Sequence, residues 1–465
     1  MNEPQKTPHI VVIGAGSASF GPNTLATILR SRRLQGSRLS LVDLNPRTLD
    51  SVLRVAQRMN EEWNAGMTIC ASTDRCEVLD GANFVIISIE VPPREQLWRL
   101  DWEIPLKHGL RQPYGENGGP GGMLHTFRQV PPLMDIVRDM EAMCPDAWLI
   151  NFSNPLPRLT RAITKYSQIK AVGKCHQIEV GYAIAGVLLR DHYDLDVPEQ
   201  ITMNSDPDNI AAKHQIAQAA REYISIKAAG LNHFTWMVDV RDRHTGEALY
   251  PRLREAVDAA PDGFEPLSME MFRAFDLCPV PGDTHLAEYL PWTHDSDARP
   301  WERYNLELYD WDSNEALREF SYHRLQQMAD GELDVSNMHD VHSEGATEIV
   351  EGIVADLNRY DEAVNIPNRG AICNLPAETI VEIPGVVSSV GVRGMQMDPL
   401  PEPVAELCRR EAALVELVVD AAVSGDRHLA LQALLLDPMI NDVNRARRVL
   451  DDYLQAFAGY LPQFE

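Results

Sequence analysis

The sequence lacks a long hydrophobic run, an excess of basic residues and any closely paired cysteines. No uninterrupted apolar stretch in its 465 residues approaches the ~18 that a membrane-spanning helix needs. The polar residues 1–6 have no apolar core of the kind that a signal peptide carries. We therefore expect a protein of the cytoplasm that has no membrane partner.

The charge and the cysteine pattern exclude further classes. Lys and Arg number 42 against 68 Asp and Glu, which gives a formal net charge of −26. Nucleic-acid phosphates and anionic lipid surfaces select basic proteins, so neither is an expected partner. The seven cysteines are odd in number, scattered and free of C-x-x-C spacing, which is typical of a reduced protein.

The first motif is a β-branched run that leads into a glycine turn. Residues 10–13 read Ile-Val-Val-Ile, and Gly14, Gly16 and Ser17 follow before a helix pattern begins. Gly14 allows a tight turn and Gly16 allows close approach of a pyrophosphate, as in dinucleotide-binding βαβ units. Ser19 stands where the usual third glycine would be.

The next strand-like segment ends at Asp43. An acid at this place hydrogen-bonds a ribose hydroxyl and repels a 2′-phosphate, which predicts NAD as the cofactor. Because Asn45 and Pro46 follow directly, Asp43 could instead cap the next helix. Both interpretations stay open on the sequence alone.

Further apolar segments predict a parallel sheet that is covered on both faces. They span residues 84–89, 147–150 and 169–173, and polar motifs at 151–155 and 174–176 follow the last two. Ligands bind beyond the carboxyl ends of parallel strands, so these motifs should meet at one edge of the sheet.

The alternation of strand and helix patterns divides the chain in two. Residues 1–195 are predicted to form an α/β, Rossmann-like doubly wound sheet that binds NAD. Residues 196–465 are predicted to form a second α+β lobe for substrate, metal and oligomerisation. Its C-terminal part carries apolar helix patterns near residues 404–423 and 443–457.

The segment 114–122 contains five glycines and one proline, which predicts no regular element. It is either a flexible surface linker or a backbone-lined loop close to a ligand, ahead of the helix that carries Arg128. Residues 291–311, rich in Pro and Trp, are also predicted to be irregular.

Cys175 and His233 are the candidate metal pair. A thiolate and an imidazole with open positions suit Mn²⁺, Fe²⁺, Co²⁺ or Ni²⁺, although most cysteines are inert core residues. His339 and His342 compete by spacing, but they lie in a polar stretch that is more typical of a solvated loop.

Residues 282–292 carry Asp283, His285 and Tyr289, which could supply a general base. Helical spacing alone would also place His285 and Tyr289 on one face, so a purely structural role stays open.

Together these motifs resemble family 4 of the glycoside hydrolases, which depends on NAD and a metal. The matching motifs are the Gly14 turn, the 118–122 loop with Arg128, Asn151-x-x-Asn154-Pro155, Cys175-His176, Gly230-Leu231-Asn232-His233, Gly282-Asp283-x-His285, Asn374-Leu375-Pro376 and Val381-Glu382-x-Pro384. The resemblance implies a fold similar to lactate and malate dehydrogenases. It also implies hydrolysis by oxidation of sugar C3 with NAD⁺, removal of the C2 proton, elimination of the glycosidic oxygen, addition of water and reduction of C3 by the NADH formed.

The resemblance assigns roles to particular residues. It implies Cys175 and His233 as metal ligands, His176 as an acid for the leaving group, Asp283 ahead of His285 as the C2 base, and Gly14, Gly16, Ser17, Asp43 and Asn154 at the cofactor. It further implies Mn²⁺ or another divalent transition metal, a small carbohydrate substrate, and a homodimer or homotetramer.

Within the family, Cys175-His176 and the segments 232–236 and 285–291 resemble the branch that acts on α-galacturonides and α-glucuronides. Neutral α-galactosides and α-glucosides are the alternatives. His125 stands where relatives carry arginine, and Gln177 replaces Glu or Ser, which bears on specificity for acid sugars. An NAD-dependent hydroxy-acid dehydrogenase is the alternative from another class.

Overall fold

Twelve strands form a single mixed sheet in the part of the chain that the structure describes. The computed structural model describes residues 7–18, 20–199, 201, 207–261, 263–294, 297–341 and 343–465. The strands are β1 (His9–Ile13), β2 (Arg38–Val42), β3 (Thr68–Ser72), β4 (Phe84–Ile87), β5 (Trp148–Asn151), β6 (Lys170–Gly173), β7 (Ile224–Leu231), β8 (Phe234–Asp242), β9 (Cys278–Pro279), β10 (Arg359–Pro367), β11 (Ile380–Ser388) and β12 (Gly391–Gly394).

Six neighbouring strands are parallel and lie in the order β3-β2-β1-β4-β5-β6. This is the order of a doubly wound dinucleotide-binding sheet, so the predicted Rossmann-like fold is confirmed. Ile13 pairs with Val42 at the carboxyl ends of β1 and β2. The glycine turn and Asp43 therefore emerge side by side at one edge.

The second half of the chain extends the same sheet with antiparallel strands. β10 pairs with β6 through Asn365 and Gly173, and β11, β7, β8 and β9 follow in that order, with β12 on β11. The α+β lobe is therefore joined to the first half by continuous pairing. The division at residue 195 stays a prediction.

Helices cover this sheet. They are α1 (Phe20–Arg30), α2 (Pro46–Glu62), α3 (Arg94–Lys107), α4 (Gly119–Met143), α5 (Leu156–Tyr166), α6 (Ile178–Leu188), α7 (Arg190–Tyr193), α8 (Pro207–Tyr223), α9 (Tyr250–Ala256), α10 (Pro266–Phe275), α11 (Asp283–Leu286), α12 (Pro300–Arg303), α13 (Trp311–Asp330), α14 (Ala346–Val354), α15 (Glu402–Ser424), α16 (Arg427–Leu436) and α17 (Val443–Ala456). Among the described helices, none has both the length and the apolar character that crossing a bilayer would take.

Residues 10–13 of strand β1 are apolar without a break, and their burial explains this pattern. Val11 and Ile13 pack into the core beneath α4 and α15, whereas Ile10 and Val12 pack into the opposite core with α1 and α2. Successive side chains of a strand point to opposite faces, so a strand covered on both sides needs apolar residues at every position. Each such burial contributes roughly 1.5–3 kcal/mol, and this fixes the edge where the polar motifs emerge.

The predicted C-terminal helices are present as α15 and α17, and Gly425, at φ +69, ends α15. Helix α15 packs on α4 and α5. Among the described residues of the 291–311 stretch, the α-helical ones are those of α12 and Trp311, where α13 begins, so the stretch is largely irregular as predicted.

Candidate active site

A cleft of about 1440 Å³ opens at the carboxyl ends of the parallel strands. Nine of the sequence-predicted residues line it: Gly14, Gly16, Ser17, Asp43, Asn154, Cys175, His176, His233 and His285. We call the first five the nucleotide end and the last four, together with Glu344, the metal end. The predicted meeting of polar motifs at one edge of the sheet is observed.

The nucleotide end is built by backbone contacts around the glycine turn. Gly14 has φ +84, and a Cβ there would lie 2.0 Å from the carbonyl oxygen of Ser88. The Gly14 N–H donates to the Val42 carbonyl oxygen at 2.9 Å, and the Gly16 N–H donates to Asp43 Oδ2 at 2.8 Å. Only glycine fits the turn at position 14.

Asp43 is not a helix cap. Asn45 caps α2, because its side chain accepts from the N–H groups of Arg47 and Thr48. Asp43 instead accepts from Gly16 and from the Asn45 N–H at 2.8 Å. The capping interpretation is therefore wrong, and the half-buried carboxylate lies at the cleft.

A third glycine of the turn was missed in the sequence. Ser19, the position compared with the usual motif, lies outside the described residues. Gly21 provides the close contact instead, since a Cβ there would lie 2.3 Å from the Ala15 carbonyl oxygen. The signal was a glycine in the first turn of α1, where a third motif glycine commonly allows close packing.

The glycine-rich segment is neither irregular throughout nor a surface linker. Residues 115–122 are buried, and those from Gly119 onward form the first turn of α4. A Cβ on Gly118 would lie 2.7 Å from the Glu288 Cβ, and one on Gly122 would lie 2.3 Å from the Asn117 carbonyl oxygen. The glycines thus permit close packing, which the prediction of an irregular element did not consider.

Arg128, on α4, and Asn154 both line the cleft, and a buried carboxylate holds each of them. Arg128 forms a two-pronged ion pair with buried Asp101 at 2.5 Å for each bond. Asn154 Nδ2 donates to Glu116 Oε2 at 3.2 Å.

At the metal end, Cys175 and His233 come together from distant parts of the chain. Cys175 follows β6, and His233 lies in the tight turn between β7 and β8 with φ +64. Cys175 Sγ lies 3.5 Å from His233 Nε2. The Gln177 side-chain oxygen accepts from the His233 N–H at 2.8 Å, so the residue two positions after the cysteine also holds the histidine.

Buried Glu382 supports the same turn. Its carboxylate accepts from Asn232 Nδ2 at 2.6 Å and from Thr235 Oγ1 at 2.9 Å, the residues on either side of His233 and Phe234. Hydrogen bonds around a ligand residue orient it toward a metal.

The donor set fits a divalent transition metal. Burial lowers the pKa of His233 well below its ordinary value, so its imidazole is neutral and can donate a lone pair. Burial raises the pKa of the Cys175 thiol strongly, which a bound cation would reverse. The donor atoms of Cys175, His176 and Glu344 lie within 4.8 Å of one another. Glu344 was missed, because nothing local in the sequence marks it.

His176 is more exposed than its neighbour. Its Nδ1 lies 3.3 Å from Glu344 Oε2, and the imidazole is 61% exposed at the cleft. The Glu344 carboxylate raises the pKa of His176 to about 9. The predicted acid is therefore at the surface of the cleft, next to the metal pair.

Asp283, ranked first as the base, does not line the cleft. Its carboxylate accepts from the N–H groups of Leu267 and Ser268 at 2.9 and 2.7 Å, at the start of α10. Burial and the Glu265 carboxylate raise its pKa well above the ordinary value. Asp283 thus points at a helix end and not into the cleft, which argues against its place as the first candidate for the base.

His285, two positions along α11 and so on the other side of the helix, does line the cleft. Its ring stacks on His233 with centroids 4.4 Å apart and planes 1° from parallel. Its Nδ1 lies 3.2 Å from Glu288 Oε2, another residue that the sequence analysis missed. Tyr289 is buried against Phe234 and does not line the cleft.

Two other predicted features lie apart from the cleft. His125 is buried, with Nε2 3.0 Å from Glu90 Oε2, and does not line it. His339 is 59% exposed and pairs with Asp340, which fits the predicted solvated loop, and His342 lies outside the described residues. In the described ranges, the group suited to a metal is the one at Cys175.

The fold and the cleft define a class: a Rossmann-type enzyme with a thiol–imidazole pair beside its glycine turn. The family model "Family 4 glycosyl hydrolase" matches residues 9–187, and the model of that family's C-terminal domain matches residues 228–440. The chain belongs to family 4 of the glycosyl hydrolases, as the motifs predicted, and is a glycosidase.

Several known proteins are similar to this chain over nearly its whole length. An α-glucosidase of Erwinia rhapontici is 32% identical, with 95% of this chain and 96% of the relative covered. An α-galacturonidase of Bacillus subtilis (strain 168) is 26% identical, with 96% of each covered. A 6-phospho-α-glucosidase from gut microorganisms, solved with NAD and Mn²⁺, is 21% identical with a TM-score of 0.78, covering 99% of this chain and 100% of its own. This last likeness shows the fold.

Proposed function

We propose that the chain hydrolyses neutral α-glycosides with NAD⁺ and a divalent cation such as Mn²⁺ as resident cofactors. The observation that carries this proposal is the 3.5 Å approach of Cys175 Sγ to His233 Nε2 in the same cleft as the Gly14 turn. A nucleotide turn alone would fit many dehydrogenases, but a thiol–imidazole pair beside it fits a metal-assisted reaction.

Different residues of the cleft would bind the nucleotide, the sugar and the cation. Gly14, Gly16 and Ser17 would face the pyrophosphate at the start of α1, Asp43 would accept from a ribose hydroxyl, and Asn154 would contact the sugar or the nicotinamide ribose. Cys175 and His233 would hold the cation. When bound, NAD⁺ supplies a reversible hydride acceptor and the cation supplies a Lewis acid.

The proton transfers fall to two histidines. We propose His285 as the base that takes the proton from the sugar ring, because it lines the cleft against His233 whereas Asp283 does not. His176, exposed at the cleft and held by Glu344, would give a proton to the departing glycosidic oxygen.

The ion pairs of the cleft favour a neutral sugar over the uronide predicted from the resemblance. Among the described residues, each cleft arginine already has a carboxylate partner: Arg75 with Asp139, Arg94 with Glu116, Arg128 with Asp101 and Arg318 with Glu95. Lys174 pairs with Asp361 at 2.7 Å in the same way. A uronate would have to displace one of these partners, at a cost in desolvation.

The 32% identical relative, which is named an α-glucosidase, supports this choice. The neutral assignment therefore takes the place of the uronide as our first proposal. Homodimeric or homotetrameric assembly and a cytoplasmic location stay predictions.

A panel of nitrophenyl glycosides tests the proposal. The α-glucoside, α-galactoside, α-glucuronide and α-galacturonide are each incubated with and without NAD⁺ and Mn²⁺, with a reductant to protect the thiol. We expect nitrophenol release from a neutral glycoside that needs both additions, without accumulation of NADH. Preference for a uronide would overturn the neutral assignment. Growth of NADH without nitrophenol, on a hydroxy acid, would identify a dehydrogenase instead.

A further inference from the structure

Glu288 lies between the proposed base and the glycine-rich segment, and its two carboxylate oxygens have different partners. Oε1 accepts from the N–H groups of Glu116, Asn117 and Gly118 at 3.1, 3.3 and 3.3 Å. Oε2 lies 3.2 Å from Nδ1 of His285. The side chain is 1% exposed, so water does not compete for either oxygen.

Close backbone packing makes this arrangement possible. The Glu288 side chain lies one helical turn from His285, which brings the two groups together on one side. Gly118 must be glycine for the segments to meet, because a Cβ there would lie 2.7 Å from the Glu288 Cβ. The three converging N–H groups favour a negative charge on Oε1.

An ionised carboxylate can only accept hydrogen bonds. The His285 nitrogen that faces it, Nδ1, must therefore carry the hydrogen, and Nε2 keeps its lone pair. The ring is further fixed between His233, at 4.4 Å, and Tyr114, at 4.9 Å between centroids. The neighbours thus hold the plane of the ring, and Glu288 decides its tautomer.

We propose that Glu288 is the positioning residue of the base: it fixes His285 as the Nδ1–H tautomer, so that Nε2 is the atom that takes the sugar proton. This inference rests on the proposed role of His285. It also links the base to the start of α4, since the same carboxylate holds the backbone of residues 116–118.

Glu288→Gln separates this role from a purely structural one. The glutamine oxygen can still accept from the three N–H groups, but its NH₂ group faces Nδ1 and forces the hydrogen onto Nε2. We expect kcat on the best neutral glycoside of the panel to fall roughly 10²–10⁴-fold, as for a general base in the wrong tautomer. KM, NAD⁺ affinity and Mn²⁺ affinity should change by less than about threefold, because no binding group is lost.

Two further variants complete the test. Glu288→Ala removes both sets of contacts, and Glu411→Gln makes the matched change at a buried glutamate that pairs with Arg158 outside the cleft. Glu411→Gln should keep the wild-type kcat per folded molecule. Near-normal kcat in Glu288→Gln together with a poor Glu288→Ala would show a structural role only and overturn the proposal.

The tautomer of His285 can also be measured by NMR in the absence of any substrate. In protein with ¹⁵N-labelled histidine, the His285 signal, assigned by its loss in His285→Ala, should report Nδ1–H in the wild type and Nε2–H in Glu288→Gln. An Nε2–H signal in the wild type would overturn the inference. If the wild type releases no aglycone from any glycoside but shows the Nδ1–H signal, the proposed function fails and the positioning by Glu288 stands.

Discussion

The two ends of the cleft are built in different ways. At the nucleotide end, the turn and the acid come from consecutive strands, and the contacts that hold them are made by backbone N–H groups, as between Gly16 and Asp43. At the metal end, Cys175, His233 and His285 come from three separate segments, and side chains hold them.

This difference predicts which kind of substitution damages each end of the cleft. A turn made by glycines is damaged by any added side chain, whatever its chemistry. A site made by side chains is damaged by a change of one donor atom, even when the shape is kept. Substitutions at the two ends should therefore separate NAD⁺ binding from metal-dependent chemistry.

The largest effect is expected for Cys175→Ser. The change keeps the shape but replaces the soft thiolate, so metal-dependent hydrolysis should fall about 10³-fold or more, since a bound cation contributes several kcal/mol and about 1.4 kcal/mol corresponds to tenfold. Mn²⁺ affinity, measured by electron paramagnetic resonance, should fall in parallel, whereas NAD⁺ affinity should be unchanged. Treatment of the wild type with a chelator should reproduce the loss, and added Mn²⁺ should restore activity.

The matched control is Cys373→Ser, which replaces an exposed thiol that does not line the cleft. It should behave as the wild type in both measurements. Undiminished Mn²⁺ affinity in Cys175→Ser would show that Cys175 is not a metal ligand. It would also contradict the difference proposed between the two ends of the cleft.

His285→Ala should have the next largest effect. Loss of a general base costs roughly 10²–10⁴-fold in kcat, and exchange of the sugar C2 proton with solvent should slow by a similar factor. Exposed His428, on α16, provides the control, because His428→Ala removes an imidazole outside the cleft. Proton exchange at the wild-type rate in His285→Ala would assign the base to another residue.

The sequence predicted the parts of the molecule that depend on local patterns. Apolar strands and the glycine turn could be read directly because their neighbours in space are also near in sequence. Asp43 kept two interpretations, and its contacts with Gly16 and Asn45 exclude the helix cap. Cys175 and His233 were candidates by their ligand chemistry, but the family resemblance was needed to pair them as metal ligands, since 58 positions separate them. Gln177, Glu288 and Glu344 were missed because their partners lie in other segments of the chain.

The choice between Asp283 and His285 shows the limit most clearly. Both lie on the short helix α11, and the spacing does not say which of them faces the cleft. Asp283 is directed by its contacts with α10, and His285 by Glu288, whose other oxygen accepts from the backbone just ahead of α4. The contacts with α10 and with the segment ahead of α4 are tertiary. The same limit applies to the glycine-rich segment, whose glycines serve a packing contact with Glu288.

Gly16→Ala tests the nucleotide end and should have a smaller effect. The added Cβ would lie 2.7 Å from the Asp43 carboxylate and 2.5 Å from Thr48 Oγ1. Overpacking of this kind costs about 1–3 kcal/mol, which corresponds to a rise of roughly 5- to 150-fold in the NAD⁺ dissociation constant if the turn bears the strain. Fluorescence titration measures it, and Mn²⁺ affinity serves as the internal control. A simultaneous loss of Mn²⁺ affinity would mean that the two ends are not independent.

The smallest effect on catalysis is expected for Asp283→Ala, although this residue lies only two positions from His285 on α11. Its carboxylate accepts from the backbone of Leu267 and Ser268, so its loss should lower the free energy of unfolding by about 0.5–2 kcal/mol, the usual cost of a lost helix cap. Urea denaturation measures that loss, and kcat per folded molecule should stay within about threefold of the wild type because no cleft group is removed. A large fall in kcat with unchanged stability would mean that Asp283 turns into the cleft when substrate binds. In that case the difference between His285, which lines the cleft, and Asp283, which does not, would hold only for this conformation. Both residues would then be candidates for the base.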